Sequence, residues 1–133
     1  MVSVMELVRL AKEQVENLTP GEVAKELASG EVVLVDVREG REVDGGVLPG
    51  ALIAPRGMLE FHADPSTKFH LAALRPDKRI ILYCAAGSRS ALGARTLQEL
   101  GYSNVAHLDG GIAAWLQEGR PLVEAQEANL GGK

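Results

Sequence analysis

"RIILYCAAGSRSALGARTLQELG", residues Arg79 to Gly101, joins a strand to a helix across the only cysteine of the chain. Residues 79–83 read as a strand, and after Arg79 they are apolar and β-prone, the pattern of burial on both faces. Residues 88–100 read as a helix closed by Gly101. Cys84 sits at the junction. In parallel α/β sheets, ligands bind beyond the carboxyl ends of the strands. A loop that runs straight into a helix there can aim its backbone N–H groups at one point. Ala85, Ala86 and Gly87 are small and leave those groups uncovered. The helix N-terminus adds partial positive charge at the same place, and Arg89 adds a full one. A thiol so placed should ionise below its free pKa of about 8.5 and become a nucleophile. The competing reading is a buried core cysteine on a plain turn. Core packing has little use for Gly87, Ser88 and Arg89 at a helix start, so the catalytic reading leads.

Working outward, Val4, Val8, Ala11, Val15 and Leu18 recur at spacings of four and three. They predict an amphipathic helix over 3–17. Thr19-Pro20-Gly21-Glu22 opens a second helix through a capping box with proline in the first turn, and Gly30 stops it. Val32 to Val35 read as a strand buried on both faces, and Ala51 to Ala54 as a shorter one. Ser66 is expected to cap a helix reaching about Leu74. "NVAHL", 104–108, is a fourth strand, with His107 expected to point outward. Ile112 to Glu118 form a last helix. Helices alternating with short buried strands mean an α/β domain with a mostly parallel sheet.

The 133 residues are 46% hydrophobic and 24% charged, with net charge −4. That is an ordinary globular balance with no basic footprint for nucleic acid. No apolar run approaches the length of a membrane span, and the N-terminus lacks the pattern of a secretory signal. One cysteine excludes an internal disulfide framework. The expectation is a cytoplasmic protein with no nucleic-acid and no membrane partner. Residues 1–18 are an N-terminal helix, 19–122 the domain, and 123–133 a tail without apolar period, expected to be disordered.

"YCAAGSRS" resembles the active-site loop of the rhodanese family of sulfurtransferases: a cysteine, four residues, then an arginine leading into a helix. "LVDVRE" with Glu42 resembles the first strand motif of that family. "GVLPGA", 46–51, resembles its Gly-His-Ile-Pro-Gly-Ala, with Val47 where histidine is common. "LDGGIAAWLQEGRP" resembles its closing segment. The resemblance covers roughly residues 19–122. It implies a single-domain rhodanese-like three-layer α/β/α fold with a mostly parallel central sheet, here preceded by an N-terminal amphipathic helix. It also implies a sulfur shuttle: Cys84 takes a sulfane sulfur from a donor such as thiosulfate as a persulfide. It then passes that sulfur to cyanide or a thiol, including a possible protein acceptor, without metal or organic cofactor.

Asp36 and Arg38 lie at the carboxyl end of the first core strand and are expected to brace the loop; an ordinary ion pair is the alternative. Arg56 could bring a second charge to the pocket mouth, or be a solvated loop arginine. Ser88 and Ser90 could donate to the sulfur or cap the helix. His62, His70 and His107 have no ligand spacing, so no metal site is expected. Trp115 reads as a core anchor. The stretch 57–75 reads as a helix covering the sheet, with a lid of Met58, Leu59 and Phe61 as the alternative. Two other functions compete. One is a phosphatase or arsenate reductase-like enzyme of the same fold, although the tyrosine phosphatase loop places five residues, not four, between cysteine and arginine. The other is a non-catalytic rhodanese-like binding module, against which the intact cysteine argues.

Overall fold

The computed structural model describes residues 1–125. Five parallel strands form its centre: β1 (Glu16–Leu18), β2 (Val33–Asp36), β3 (Leu52–Ile53), β4 (Ile80–Tyr83) and β5 (Val105–Leu108), in the order β1-β5-β4-β2-β3. The register aligns Leu34 with Ile81 and Ile81 with Ala106. Five helices surround the sheet: α1 (Val4–Gln14), α2 (Pro20–Ser29), α3 (Leu59–Ala63), α4 (Ser88–Glu99) and α5 (Gly111–Gln117).

Side chains of a strand alternate between faces, and both faces here are covered. Val35, Ile80, Leu82 and Val105 pack with Leu59 of α3 and Leu97 of α4. Leu34, Ile81, Ala106 and Leu108 pack with Val23 of α2 and Trp115 of α5. The expected three layers result, with Trp115 a core anchor. Burying each large aliphatic side chain contributes about 1.5–3 kcal/mol. The capping box forms as read: the Glu22 N–H donates to the Thr19 hydroxyl and the Thr19 N–H to the Glu22 carboxylate. Gly30 closes α2 at φ +76°, a conformation that glycine adopts without strain.

Three expectations fail. The first helix ends at Gln14, three residues early, because Val15 turns extended and residues 16–18 become edge strand β1 beside β5. Asn17 secures that turn by donating through Nδ2 to the carbonyls of Lys12 and Val15. No helix follows Ser66, whose N–H and hydroxyl both donate to Asp64 Oδ1 in a local turn. Pro65 disfavours helical backbone at Asp64, and the helix of this region is α3, before it. Its Leu59 and Ala63, with Leu71 and Leu74 beyond, pack against the sheet. His107 does not point outward: it is completely buried. Beyond α5 the chain returns far enough for Val123 to pair with Val47 in an antiparallel bridge. The rest of the expected tail, 126–133, lies outside the described residues.

Candidate active site

Cys84 leaves the carboxyl end of β4 on the face toward α4 and is 1% exposed. Gly87, at φ +107°, starts α4 with no side-chain cap. The sulfur takes that place: the N–H groups of Gly87 and Ser90 donate to Cys84 Sγ at 3.2 and 3.4 Å, and Cys84 Sγ lies 3.5 Å from Ser90 Oγ. Burial pushes the Cys84 thiol up. The Ser90 hydroxyl and the N–H groups of Ser90, Gly87 and Ala86 outweigh it, and the net shift is downward. Thus Ala86, Gly87 and Ser90 serve the sulfur, while Ser88 is simply the first residue of α4 and caps nothing.

The glycine pair after β5 explains the orientation of the loop. The N–H groups of Ile112 and Ala113, in the first turn of α5, donate to the carbonyls of Cys84 and Ala85 at 2.9 and 3.1 Å. Those carbonyls are held away from the sulfur, which leaves N–H groups to face it. Gly111 allows this approach: a Cβ there would lie 2.6 Å from the backbone of Cys84 and Ala85.

Arg89 lies where its charge and that of Cys84 act on each other, but it is not free. Its guanidinium makes a fork with the Glu42 carboxylate at 2.7 and 2.9 Å, both side chains being about one third exposed. Arg89 holds Glu42 at about 2, far below the usual carboxylate range. The charge of Arg89 is therefore shared with Glu42, and among the influences that lower the thiol the hydrogen bonds of the loop come first.

Asp36 and Arg38 form a buried ion pair, with Arg38 Nη2 2.8 Å from Asp36 Oδ2. Arg38 also donates to the carbonyls of Glu42 and Gly46. The phenol of Tyr83, next to Cys84, donates to Asp36 and accepts from the Leu48 N–H. Burial and then Asp36 push that phenol well above its ordinary range, so it remains a donor. The pair therefore shapes the wall of residues 40–48, which carries Glu42, and reaches the loop through that wall and through Tyr83. Removing one partner of a buried pair costs about 3–5 kcal/mol.

Arg56 does not reach the pocket. It donates to Glu60 and to Thr96, along the flank of α4 and two turns from the loop. It lines a separate groove of about 760 Å³ between α1 and α4, with Leu7, Leu10, Leu92 and Arg95. Sequence reasoning missed Tyr83, Gly111 and His107 as parts of the site. His107 Nδ1 lies 2.9 Å from Ser90 Oγ, and its Nε2 lies 2.7 Å from Asn17 Oδ1. Burial pushes His107 down to about 4. Among the described residues no three His, Cys, Asp or Glu side chains group to hold a metal ion, and no helix is long and apolar enough to cross a membrane.

Residues 19–118 match the model of the rhodanese-like domain family. The chain is 32% identical over 93 residues to a sulfurtransferase of Allochromatium vinosum, covering 70% of this chain and 79% of that one. It is also 32% identical over 98 residues to the human thiosulfate:glutathione sulfurtransferase, covering 69% and 85%. A solved structure from Rhodopseudomonas palustris CGA009, described as a protein of unknown function and possible tyrosine phosphatase, superposes with TM-score 0.87. It is 37% identical, over 92% of this chain and 96% of that one.

Proposed function

The chain belongs to the rhodanese-like domain family, and from there we propose that it is a sulfurtransferase working through a persulfide on Cys84. Two relatives bear sulfurtransferase names. The observation that carries the reading is the set of N–H groups turned on one buried sulfur, with the Ser90 hydroxyl oxygen beside it. The Cys84 thiolate attacks the outer sulfur of a donor such as thiosulfate. A new S–S bond forms, the donor S–S bond breaks, and sulfite leaves with the electron pair. Cyanide or a thiol then attacks the outer sulfur of the persulfide, and the pair of that S–S bond returns to Cys84 Sγ. Both halves conserve atoms and charge without a redox cofactor or metal. A protein thiol is a further acceptor, and we place the enzyme in the cytoplasm, where its thiol stays reduced.

Thiosulfate and cyanide should yield thiocyanate, and Cys84→Ser should abolish the reaction. A wild-type turnover no better than that of the variant overturns the proposal in favour of a non-catalytic binding module. The description of the Rhodopseudomonas relative keeps a second reading in view, a phosphatase or arsenate reductase-like enzyme. Four residues between Cys84 and Arg89 make a tight ring that suits one sulfur better than a phosphoryl group with three oxygens. Moreover, Glu42 already occupies the guanidinium that would grip such oxygens. Hydrolysis of small aryl phosphates at roughly 1 per second or more would hand the function to the phosphatase reading.

A further inference from the structure

Behind Cys84 runs a line of side chains that sulfur binding alone does not require. Cys84 Sγ is 3.5 Å from Ser90 Oγ, Ser90 Oγ is 2.9 Å from His107 Nδ1, and His107 Nε2 is 2.7 Å from Asn17 Oδ1. Ser90 and His107 are wholly buried. Hydrogen-bond bookkeeping fixes the protons. Asn17 Nδ2 gives both hydrogens to the carbonyls of Lys12 and Val15, so Asn17 Oδ1 faces the ring as an acceptor and Nε2 carries hydrogen. A neutral imidazole then has a bare Nδ1, and the Ser90 hydroxyl must donate to it. That leaves an oxygen lone pair toward Cys84, which the S–H group satisfies.

Ionisation upsets this order. A thiolate needs the Ser90 hydrogen, but a hydroxyl turned toward sulfur would leave its oxygen facing a bare Nδ1 at 2.9 Å. Both demands are met only when Nδ1 gains a proton. We propose that Ser90 and His107 form a proton relay behind Cys84, in which His107 Nδ1 receives the thiol proton through the Ser90 hydroxyl as the thiolate forms. In that step the S–H bond breaks as its proton passes to Ser90 Oγ. The original Ser90 O–H bond breaks as its proton passes to Nδ1. The products are a thiolate accepting from Ser90 and an imidazolium donating to Ser90 and Asn17. No electrons are exchanged. Resting on the reading of Cys84 as sulfur carrier, the relay also serves the return half. When the persulfide S–S bond breaks, Cys84 Sγ leaves with the electron pair, and the stored proton can flow back to it.

The surroundings suit a proton held internally. Lys12 of α1 and Asp109, two residues beyond His107, act on the ring with opposite signs and pair with each other at 2.9 Å. On β1, Glu16 is taken by Arg79. On α4, Arg89 is taken by Glu42. The remaining charge facing the ring across Ser90 is the one that Cys84 itself acquires. In the thiol form burial holds His107 down at about 4, so the ring starts neutral and its proton affinity rises only as sulfur becomes negative. His107 is a positioning residue in this scheme, acting on sulfur through Ser90.

The test reads the thiol directly, so its result stands whether or not sulfur transfer is observed. The rate of Cys84 alkylation by iodoacetamide is followed from pH 4 to 10, with 15N NMR of the His107 ring over the same range. Coupled groups share two apparent titrations. Wild type is expected to show two steps, with Nδ1 protonated on the plateau between them to the same extent as Cys84 is ionised there. His107→Asn keeps a hydrogen-bonding atom toward Ser90 but takes no proton. It should show a single step about one pH unit higher, making alkylation about tenfold slower below it. Circular dichroism checks that the variant is folded, and the wild-type NMR decides the matter if it is not. A single step at the same pH in both proteins, or a bare Nδ1 throughout while Cys84 ionises, overturns the relay.

Discussion

Gly111→Ala should damage the site through backbone contact alone. Gly111 lies at φ +61°, and an added Cβ would meet Ala85 C, Ala85 O and Cys84 O at 2.6 Å, about 0.8 Å inside ordinary contact. Left-handed backbone costs a non-glycine residue about 1–2 kcal/mol. Overpacking against atoms that cannot rotate away adds about 1–3 kcal/mol. Gly119→Ala is the control: φ is +74°, yet nothing lies within 4 Å of its Cβ, so it bears only the first cost. Relief of the clash moves the loop and stretches the bonds from Ile112 and Ala113 to the loop carbonyls. Misplacing a reacting group by about 1 Å costs around 100-fold. Urea denaturation should therefore place Gly111→Ala about 1–3 kcal/mol below Gly119→Ala. Alkylation of Cys84 should slow by up to about 100-fold only in the former. If the two variants match in stability and both keep wild-type thiol reactivity, the glycine does not set the loop.

Two further outcomes follow from buried polar groups. In Cys84→Ser, where no thiol shares the titration, His107 holds near 4 in the fold against about 6.5 when unfolded. The unfolded chain binds the extra proton in that window, so stability should fall as pH drops below 6.5, by about 2 kcal/mol between pH 7 and 5. A flat profile in chemical denaturation over this range would exclude a neutral buried ring. Tyr83→Phe strands the Leu48 N–H and removes a donor from Asp36. At about 1–3 kcal/mol for the one group left unsatisfied, it should lose about 1–3 kcal/mol in the same assay, and an unchanged midpoint would mean that the wall 40–48 stands without the phenol.

What could be read from sequence was local. The capping box of α2, the apolar runs of β2 and β4, and the strand–Cys84–helix junction declare themselves within a few residues, and their bounds hold to within about one residue. What escaped depended on distant partners. Three-residue β1 exists because β5 lies beside it, about ninety positions later, and Val15 and Leu18 fit a helical stripe equally well. Alternation along 104–108 placed His107 in water because a strand read alone does not show what covers its faces. Helices pack on both faces of the sheet, and His107 is interior. The pairing of Arg89 with Glu42 spans 47 positions, so the arginine looked free. Arg56 was judged by the sheet edge it follows, whereas the short 3₁₀ turn Arg56–Met58 carries it along α4.

Tyr83 and Cys84 are adjacent in the chain and belong to opposite layers of the domain. One ties down the wall through Asp36; the other waits under the start of α4. Which does which is a matter of odd and even. Advance the strand by a single position and the phenol would face the N–H groups of α4, while the thiol would sit beside a buried carboxylate that disfavours its ionisation. Reactivity here is thus stored partly in parity. Anyone grafting "CAAGSR" onto another parallel sheet must count residues from the last paired position, because the same six letters delivered one place out would make a core and no enzyme.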